Sequence, residues 1–273
     1  MDIKELIQAG KLAEARQQLV AAVKASPADS ASRSLLFQVL CYGGEWDKAD
    51  LHLEAIAAQD SGRGAGALGY KNIIQAEMER SEVFNKNKNG SFISDPPEYL
   101  NLFLQLRKNL GEEKESEAGE LLAQLDSSRP TISGTVNNTP FVGFCDTDTT
   151  LFPFLEVIAH ERYLWIPFES IRELSISQPA NLLDLLWISA QITTWEGLTM
   201  NCSLPVLYPN SCHHEDARIK MGRMTDWQLL AGPYARGLGQ HVFDVGGKDM
   251  ALLEIRDVVF NFPGNKDSDE EKT

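Results

Sequence analysis

LIQAGKLAEARQQLVAA (residues 6–22) and LCYGGEWDKADLHLEAI (residues 40–56) are one pattern written twice. Shifted onto each other, Leu6 meets Leu40, Gly10 meets Gly44, Leu12 meets Trp46, Ala15 meets Ala49, Leu19 meets Leu53 and Ala22 meets Ile56. The apolar positions follow the 3.6-residue period of a helix. The glycines fall where one helix must turn into the next, and the alanines where two helices must cross closely.

A period of about 34 residues with these landmarks is that of tetratricopeptide helix pairs, which bury their apolar faces only by stacking on a neighbour. Two helical hairpins packed as plain core would carry the same residues, so both readings stay open. The expected helices are 3–9, 12–25 (stopped by Pro27), 31–42 and 46–58, with Leu35, Leu36, Val39 and Leu40 as an inner stripe. In residues 61–69, Gly64, Gly66 and Gly69 fit G-x-G-x-x-G formally. A helix rather than a strand precedes them, so the stretch reads as a flexible inter-helix turn. A helix over 68–84 falls where a third repeat should start but lacks the small-residue landmarks, which suits a capping unit. Asp95-Pro96-Pro97-Glu98 predicts a helix start with Asp95 as N-cap, running through Leu102, Phe103, Leu106 and Leu110. A short helix over 112–125 follows. The helical pattern ends at Ser127-Ser128-Arg129-Pro130.

Beyond Pro130 the texture changes. The stretch from Thr131 to Cys145 has no helical period. The run from Arg162 to Phe168 is aromatic and apolar on both faces, as a strand would be. Leu174 and Ile176 alternate with polar residues. Residues 187–194 and 200–204 alternate around a Glu196-Gly197 turn, and residues 240–245 and 250–255 flank Gly246-Gly247, giving two hairpins. Short helices fit 151–160 and 216–221. The expected fold class is α+β in two domains. Residues 1–128 form a TPR-like α-helical superhelix. Residues 129–262 form a small β-rich domain, a bent sheet or partly open SH3-like barrel with short helices. Residues 263–273 are a disordered acidic tail.

Few features suggest chemistry. Asp146-Thr147-Asp148 begins like a calcium loop, but Leu151 and Val157 stand where that loop needs Gly and Glu. Asx-type turns explain the aspartates better. Cys212-His213-His214 has no second spaced ligand pair. Cys41, Cys145, Cys202 and Cys212 include no C-x-x-C and read as reduced thiols. Glu156 and His160 would share a face of the expected 151–160 helix, most simply as a surface pair. No G-x-S-x-G elbow occurs. Trp165, Trp187, Trp195 and Trp227 read as core, with ligand stacking as the minority reading. No catalytic residue, metal site or cofactor is assigned. The net charge of −14 argues against nucleic acid and suits a partner presenting Lys and Arg. The N-terminus does not resemble a signal peptide and no run is apolar enough for a membrane span, so a cytoplasmic protein without membrane contact is expected.

Helix-repeat stacks bind along the face lined by the first helix of each pair. Aligned on Gly44 and Ala49, that face carries Ala31, Ser34, Gln38, Cys41 and Tyr42, with Leu36, Phe37 and Leu40 on the packing side. Ser34, Gln38, Cys41 and Tyr42 are therefore the candidate protein-binding residues. An amphipathic helix could lay its apolar stripe across Cys41 and Tyr42. The alternative is that the helices over 68–84 and 97–110 fold back and fill this face.

Several stretches together resemble the ImpE family, also called TagJ, accessory proteins of bacterial type VI secretion systems. They are Leu36-Phe37-Gln38-x-Leu40-Cys41 with Gly44-x-Trp46 and Ala49, Ala76-Glu77-x-x-Arg80, and Pro97-Glu98-Tyr99-Leu100. The second half adds Glu156 with Arg162-Tyr163-x-Trp165-x-Pro167-Phe168, Asp184-Leu185-x-Trp187, Thr225-x-Trp227 and Gly237-x-Gly239-Gln240. His241 departs from the pattern, standing where Arg is common. The resemblance covers about residues 3–260. It implies a non-enzymatic adaptor that binds the N-terminal helix of the small sheath subunit and links the sheath to its recycling AAA+ unfoldase. The residues themselves leave two alternatives open: a small-ligand binder or enzyme using the aromatic β half, or a chaperone for a secreted effector.

Overall fold

A computed structural model describes residues 2–59, 64–86 and 88–263. Seven helices come first: α1 (Ile3–Gln8), α2 (Leu12–Ala25), α3 (Ser30–Tyr42), α4 (Trp46–Gln59), α5 (Gly64–Asn85), α6 (Leu100–Gly111) and α7 (Glu115–Ser128). From α1 to α5 each helix packs on the next, and α6 packs on α7. The ends are set by ordinary capping. Asp2 and Glu5 form a capping box on α1, and the Asp29 carboxylate accepts from the Ala31 and Ser32 amides at the start of α3. Ala15 and Ala49 are fully buried where the helices cross.

Three helix boundaries differ from expectation. Gly64, Gly66 and Gly69 lie in the first turns of α5, not in a loop, while residues 61–63 of the expected turn fall outside the described residues. Asp95 does not cap α6, which starts at Leu100. A residue preceding proline disfavours the α region, so Pro97 holds Pro96 out of a helix and delays the start. Glu113 adopts φ 57, a left-handed turn that postpones α7 to Glu115.

Strands begin at Ser133: β1 (Ser133–Val136), β2 (Thr139–Val142), β3 (Phe144–Asp146), β4 (Phe154–Ala159), β5 (Arg162–Pro167), β6 (Ile171–Ile176), β7 (Trp187–Thr194) and β8 (Thr199–Pro205). After the short helix α8 (Ala217–Lys220) come β9 (Thr225–Ala231), β10 (Tyr234–Gly239), β11 (Val242–Val245), β12 (Asp249–Ala251) and β13 (Asp257–Phe260). The main sheet runs β2-β1-β13-β6-β7-β8-β4-β5, all antiparallel, and is wider than the small sheet expected. β12-β11-β3 form a second sheet and β9-β10 a separate ribbon, which the sequence reading does not contain. The turn between β7 and β8 is longer than Glu196-Gly197, because the Thr194 amide closes onto the Leu198 carbonyl.

The largest correction concerns residues 151–160. They form a turn and strand β4, not a helix. Phe154 to Ile158 are all buried, because one face of β4 meets the helices and the other meets the sheet core. A segment covered on both faces reads as a continuous apolar run, which periodicity alone cannot distinguish from a buried helix. Ala159 pairs with Arg162, leaving His160-Glu161 as a tight turn, so Glu156 and His160 share no helix face.

The helical and strand parts bury residues against each other. Phe103 of α6 packs edge-on to Phe154 and Trp165, which stack on one another at 5.3 Å. Trp46 and Tyr70 pack on Trp187. The two repeat-equivalent glycines take part as well. Gly10 and Gly44 have φ of 76° and 65°. A Cβ on Gly10 would lie 3.0 Å from Ala217 Cβ, and one on Gly44 would lie 2.7 Å from Cys212 Sγ. The inter-helix turns thus seat the loop that leads into α8.

Gly44→Ala would combine left-handed strain with this clash. The expected cost is about 1–3 kcal/mol in urea denaturation, against a neutral or stabilising Gly111→Ala, where nothing lies near the added methyl. Equal effects at both positions would contradict the docking role of the turn.

Candidate interaction site

α5 carries charge into the junction. Arg80 is 5% exposed and aims its guanidinium at the sheet. Its Nε and Nη2 fork onto Glu156 of β4 at 2.8 and 2.7 Å, and Nη2 also donates to the Leu207 carbonyl at 2.7 Å. Nη1 lies 3.4 Å from both oxygens of Glu77, one turn back on α5, and Trp187 Nε1 donates to Glu77 at 2.8 Å. Tyr163 donates its hydroxyl hydrogen to Glu156 and accepts from Trp165 Nε1. His241 completes the cluster. Nδ1 is 2.7 Å from Asp146 Oδ2, and Nε2 is 2.9 Å from Glu156 Oε2, at ion-pair distance but off the line of a well-directed hydrogen bond. Tyr208 donates to Asp146 at 2.7 Å, with its ring 4.0 Å from the His241 ring.

The electrostatics follow from burial and pairing. Burial opposes ionisation of Glu156, but Arg80 and then His241 hold its carboxyl below the usual carboxylate range. Burial alone would push His241 down. Asp146 and Glu156 overcome it and raise the imidazole to about 9, so the ring is charged at neutral pH. Burial and the neighbouring Asp146 push Asp148 up to about 6. Its oxygens accept from Thr150 and from the Gly237 amide, while Asp146 accepts the Asp148 amide, so the aspartates form successive Asx turns. Among the described residues no group of three or more His, Cys, Asp or Glu is arranged to hold a metal. In Cys212-His213-His214, Cys212 packs on Gly44 and His214 faces Asp226 and the Asp216 amide. Two cations, Arg80 and His241, face three carboxylates, Glu77, Glu156 and Asp146, and the arrangement clamps helices to sheet.

Sequence reading misses this clamp, although a signal is present. Ala76, Glu77, Arg80, Val83 and Phe84 follow the 3.6 period of a buried stripe, so two charges sit where apolar residues belong. Charges there require buried partners. Of the four tryptophans in the strand half, Trp165 and Trp187 are buried, Trp195 is half-buried, and Trp227 on the β9-β10 ribbon is 38% exposed beside Tyr208.

The candidate binding residues separate into two pairs. Cys41 and Tyr42 are each 1% exposed, and the Tyr42 hydroxyl donates to the Leu182 carbonyl at 2.8 Å. The loop before β7 closes over Tyr42, and α5, the helix expected over 68–84, lies beside Cys41 through Glu77. Neither side chain is open to a partner. Burial raises the Cys41 thiol well above its ordinary pKa. Ser34 and Gln38 remain half-exposed at the rim of an open groove of about 440 Å³. Phe37 of α3, Leu53 and Ile56 of α4, Ala67 and Tyr70 of α5, and Leu183 line it. Gly66 stands open at the edge, where a side chain would meet nothing within 4 Å.

These features define an α+β scaffold with a groove in a helical layer clamped onto an antiparallel sheet. Residues 138–259 match the model of the ImpE protein family. The type VI secretion system accessory component TagJ of Pseudomonas aeruginosa PAO1 is 31% identical over 261 residues, 95% of this chain and 91% of that protein. The crystal structure of protein VPA1032 from Vibrio parahaemolyticus shares the fold, with a TM-score of 0.86 over 96% of this chain and 98% of that one at 23% identity. The chain belongs to the ImpE/TagJ family of type VI secretion accessory components. Among the described residues no helix is long and apolar enough to cross a membrane.

Arg80→Met would strand Glu77 without its counter-charge and leave Glu156 with that of His241 alone. A loss of about 3–5 kcal/mol in urea denaturation is expected, and a loss under about 1 kcal/mol would show that the clamp is not buried in solution. His241 supplies a pH test. Its folded pKa lies above the ordinary 6.5, so its contribution is complete below about 6.5 and is lost as the pH rises through about 9. Stability should fall over that window by on the order of 1–3 kcal/mol, and His241→Gln should flatten the fall. A wild-type profile that is level from 6.5 to 9 would contradict the charged imidazole.

Proposed function

We propose that the protein is a non-enzymatic adaptor of the type VI secretion system. In this reading its helical layer works as a tetratricopeptide-like stack and takes the N-terminal helix of the small sheath subunit into the groove between α3, α4 and α5. The bound sheath is then presented to the AAA+ unfoldase that recycles it. The observation that carries the reading is the groove itself, in a chain of this family. It has a floor of buried apolar side chains, Phe37, Leu53 and Ile56, and a half-exposed rim of Ser34, Gln38 and Tyr70. That arrangement suits an amphipathic helix, whose apolar stripe covers the floor while its polar edge meets Gln38 and Ser34. Tyr70 is the aromatic most open to such a partner, and truncation of an aromatic anchor is where binding energy concentrates. The buried charged groups are engaged with one another, which supports a scaffold role over chemistry.

Calorimetry with a peptide of the sheath subunit's N-terminal helix tests the proposal. Tyr70→Ala should weaken binding by about 2 kcal/mol, and Gln38→Arg should weaken it by obstructing the rim. Leu229→Ala, on the distant β9-β10 ribbon, should leave it unchanged. Groove variants that keep full affinity with an intact fold would place the helix elsewhere.

A further inference from the structure

A second cavity, of about 190 Å³, lies at the other end of the molecule, where the β7–β8 turn, the segment after β5 and the end of β13 meet. Three buried polar atoms on its walls have no partner among the described residues: Glu169 Oε2, Thr194 Oγ1 and Trp195 Nε1. Thr194 is 8% exposed and its hydroxyl oxygen is buried. Glu169 uses only its other oxygen, Oε1, to accept the Tyr99 hydroxyl at 2.5 Å. A carboxylate oxygen left buried and unpaired is costly, and such sites are kept where a ligand completes them. Among the described residues the lining holds two carboxylates, Glu169 and Glu196, and no Lys, Arg or His. Apart from Ser94, Ser170 and Thr194, the remaining walls are apolar and aromatic. Trp195 and Phe262 meet edge to face at 5.1 Å, which brings two aromatic rings of the kind that attract cations to the cavity.

The carboxylates, the aromatic walls and the unpaired oxygens of Glu169 and Thr194 select an alkyl-ammonium or guanidinium. The volume is below that of pockets for drug-sized ligands and fits a single side-chain head. The rim decides the source. Ile93, Leu198 and Phe262 are 41%, 42% and 60% exposed around the mouth. A free amine would leave them wet, whereas residues flanking a basic side chain in a polypeptide would cover them. The chain's net charge of −14 favours the approach of a basic segment. We propose that this cavity is a docking site for a lysine or arginine side chain of a partner polypeptide, held by Glu169 and Thr194 under the Trp195 ring. It is separate from the α3–α5 groove and does not depend on what that groove binds.

The Trp195 indole N–H signal in 1H–15N spectra, assigned with Trp195→Phe, reports on the cavity. The probes are N-acetyl-Leu-Lys-Leu-amide, its Arg and norleucine counterparts, and n-butylammonium, each titrated to its solubility limit against the full chain. The Lys and Arg peptides should shift the signal at concentrations about tenfold below the norleucine peptide, with butylammonium weaker than the Lys peptide. Glu169→Gln keeps an acceptor for Tyr99 but removes the charge. It should bring the Lys and norleucine peptides within about twofold of each other while leaving the melting temperature unchanged or higher. The proposal is overturned if no probe moves the Trp195 signal, if norleucine binds as well as Lys, or if butylammonium matches the peptide. It is equally overturned if Glu169→Gln lowers the melting temperature and leaves the Lys preference intact.

Discussion

A guanidinium taken out of water between helix and sheet sets the terms for the rest of this fold. Arg80 can be buried only if its donors are matched, and they are matched by Glu77 on its own helix and by two groups from distant parts of the chain, Glu156 on β4 and the Leu207 carbonyl after β8. Glu156 in turn needs more than Arg80, and receives the Tyr163 hydroxyl and the charged His241 ring, which Asp146 balances. A half-satisfied version of such a network is worse than an apolar core, so its members must assemble together. This fixes how α5 lies across β4 and β5. It gives specificity of packing more than net stability, since desolvation offsets most of the Coulombic attraction.

Once α5 is fixed, the open groove follows. Its walls come from three successive helices and one loop of the strand part, and each is anchored elsewhere. The α3–α4 turn is seated on Cys212 through Gly44. The Tyr42 hydroxyl ties the end of α3 to Leu182, next to the groove-lining Leu183. The start of α5 is carried on a helix clamped at Arg80. A groove held from several sides loses little conformational freedom when it is filled, which is the condition for useful affinity from a modest contact area.

Much of this was legible in the residues. The doubled pattern at 6–22 and 40–56 locates four helices and both left-handed glycine turns, because small residues at helix crossings and turns have few substitutes. Alternation finds β6, β7, β8 and the β11-β12 hairpin, since each has one face turned from the core. Strand β4 was not legible, because it is covered on both faces and alternation disappears. Glu156 therefore appeared as one end of a surface helix pair rather than as the acceptor of a buried arginine. Of the four candidate site residues, Ser34 and Gln38 fall at the groove. Cys41 and Tyr42 do not, because the covering loop at 181–183 lies more than a hundred positions away in sequence. The charges of the clamp were visible at buried positions of the α5 stripe, but their partners were set by tertiary structure alone.

Amide hydrogen exchange on the full chain, with and without the N-terminal helix peptide of the small sheath subunit, measures most directly whether the groove is the working surface. Slowed exchange is expected in α3 from Ser34 to Gln38, in α4 from Leu53 to Ile56 and at the start of α5 near Tyr70, with the Arg80–Glu156 region already protected in the free protein. Binding that leaves those three segments unchanged, or that protects the strand part alone, would contradict that role of the groove.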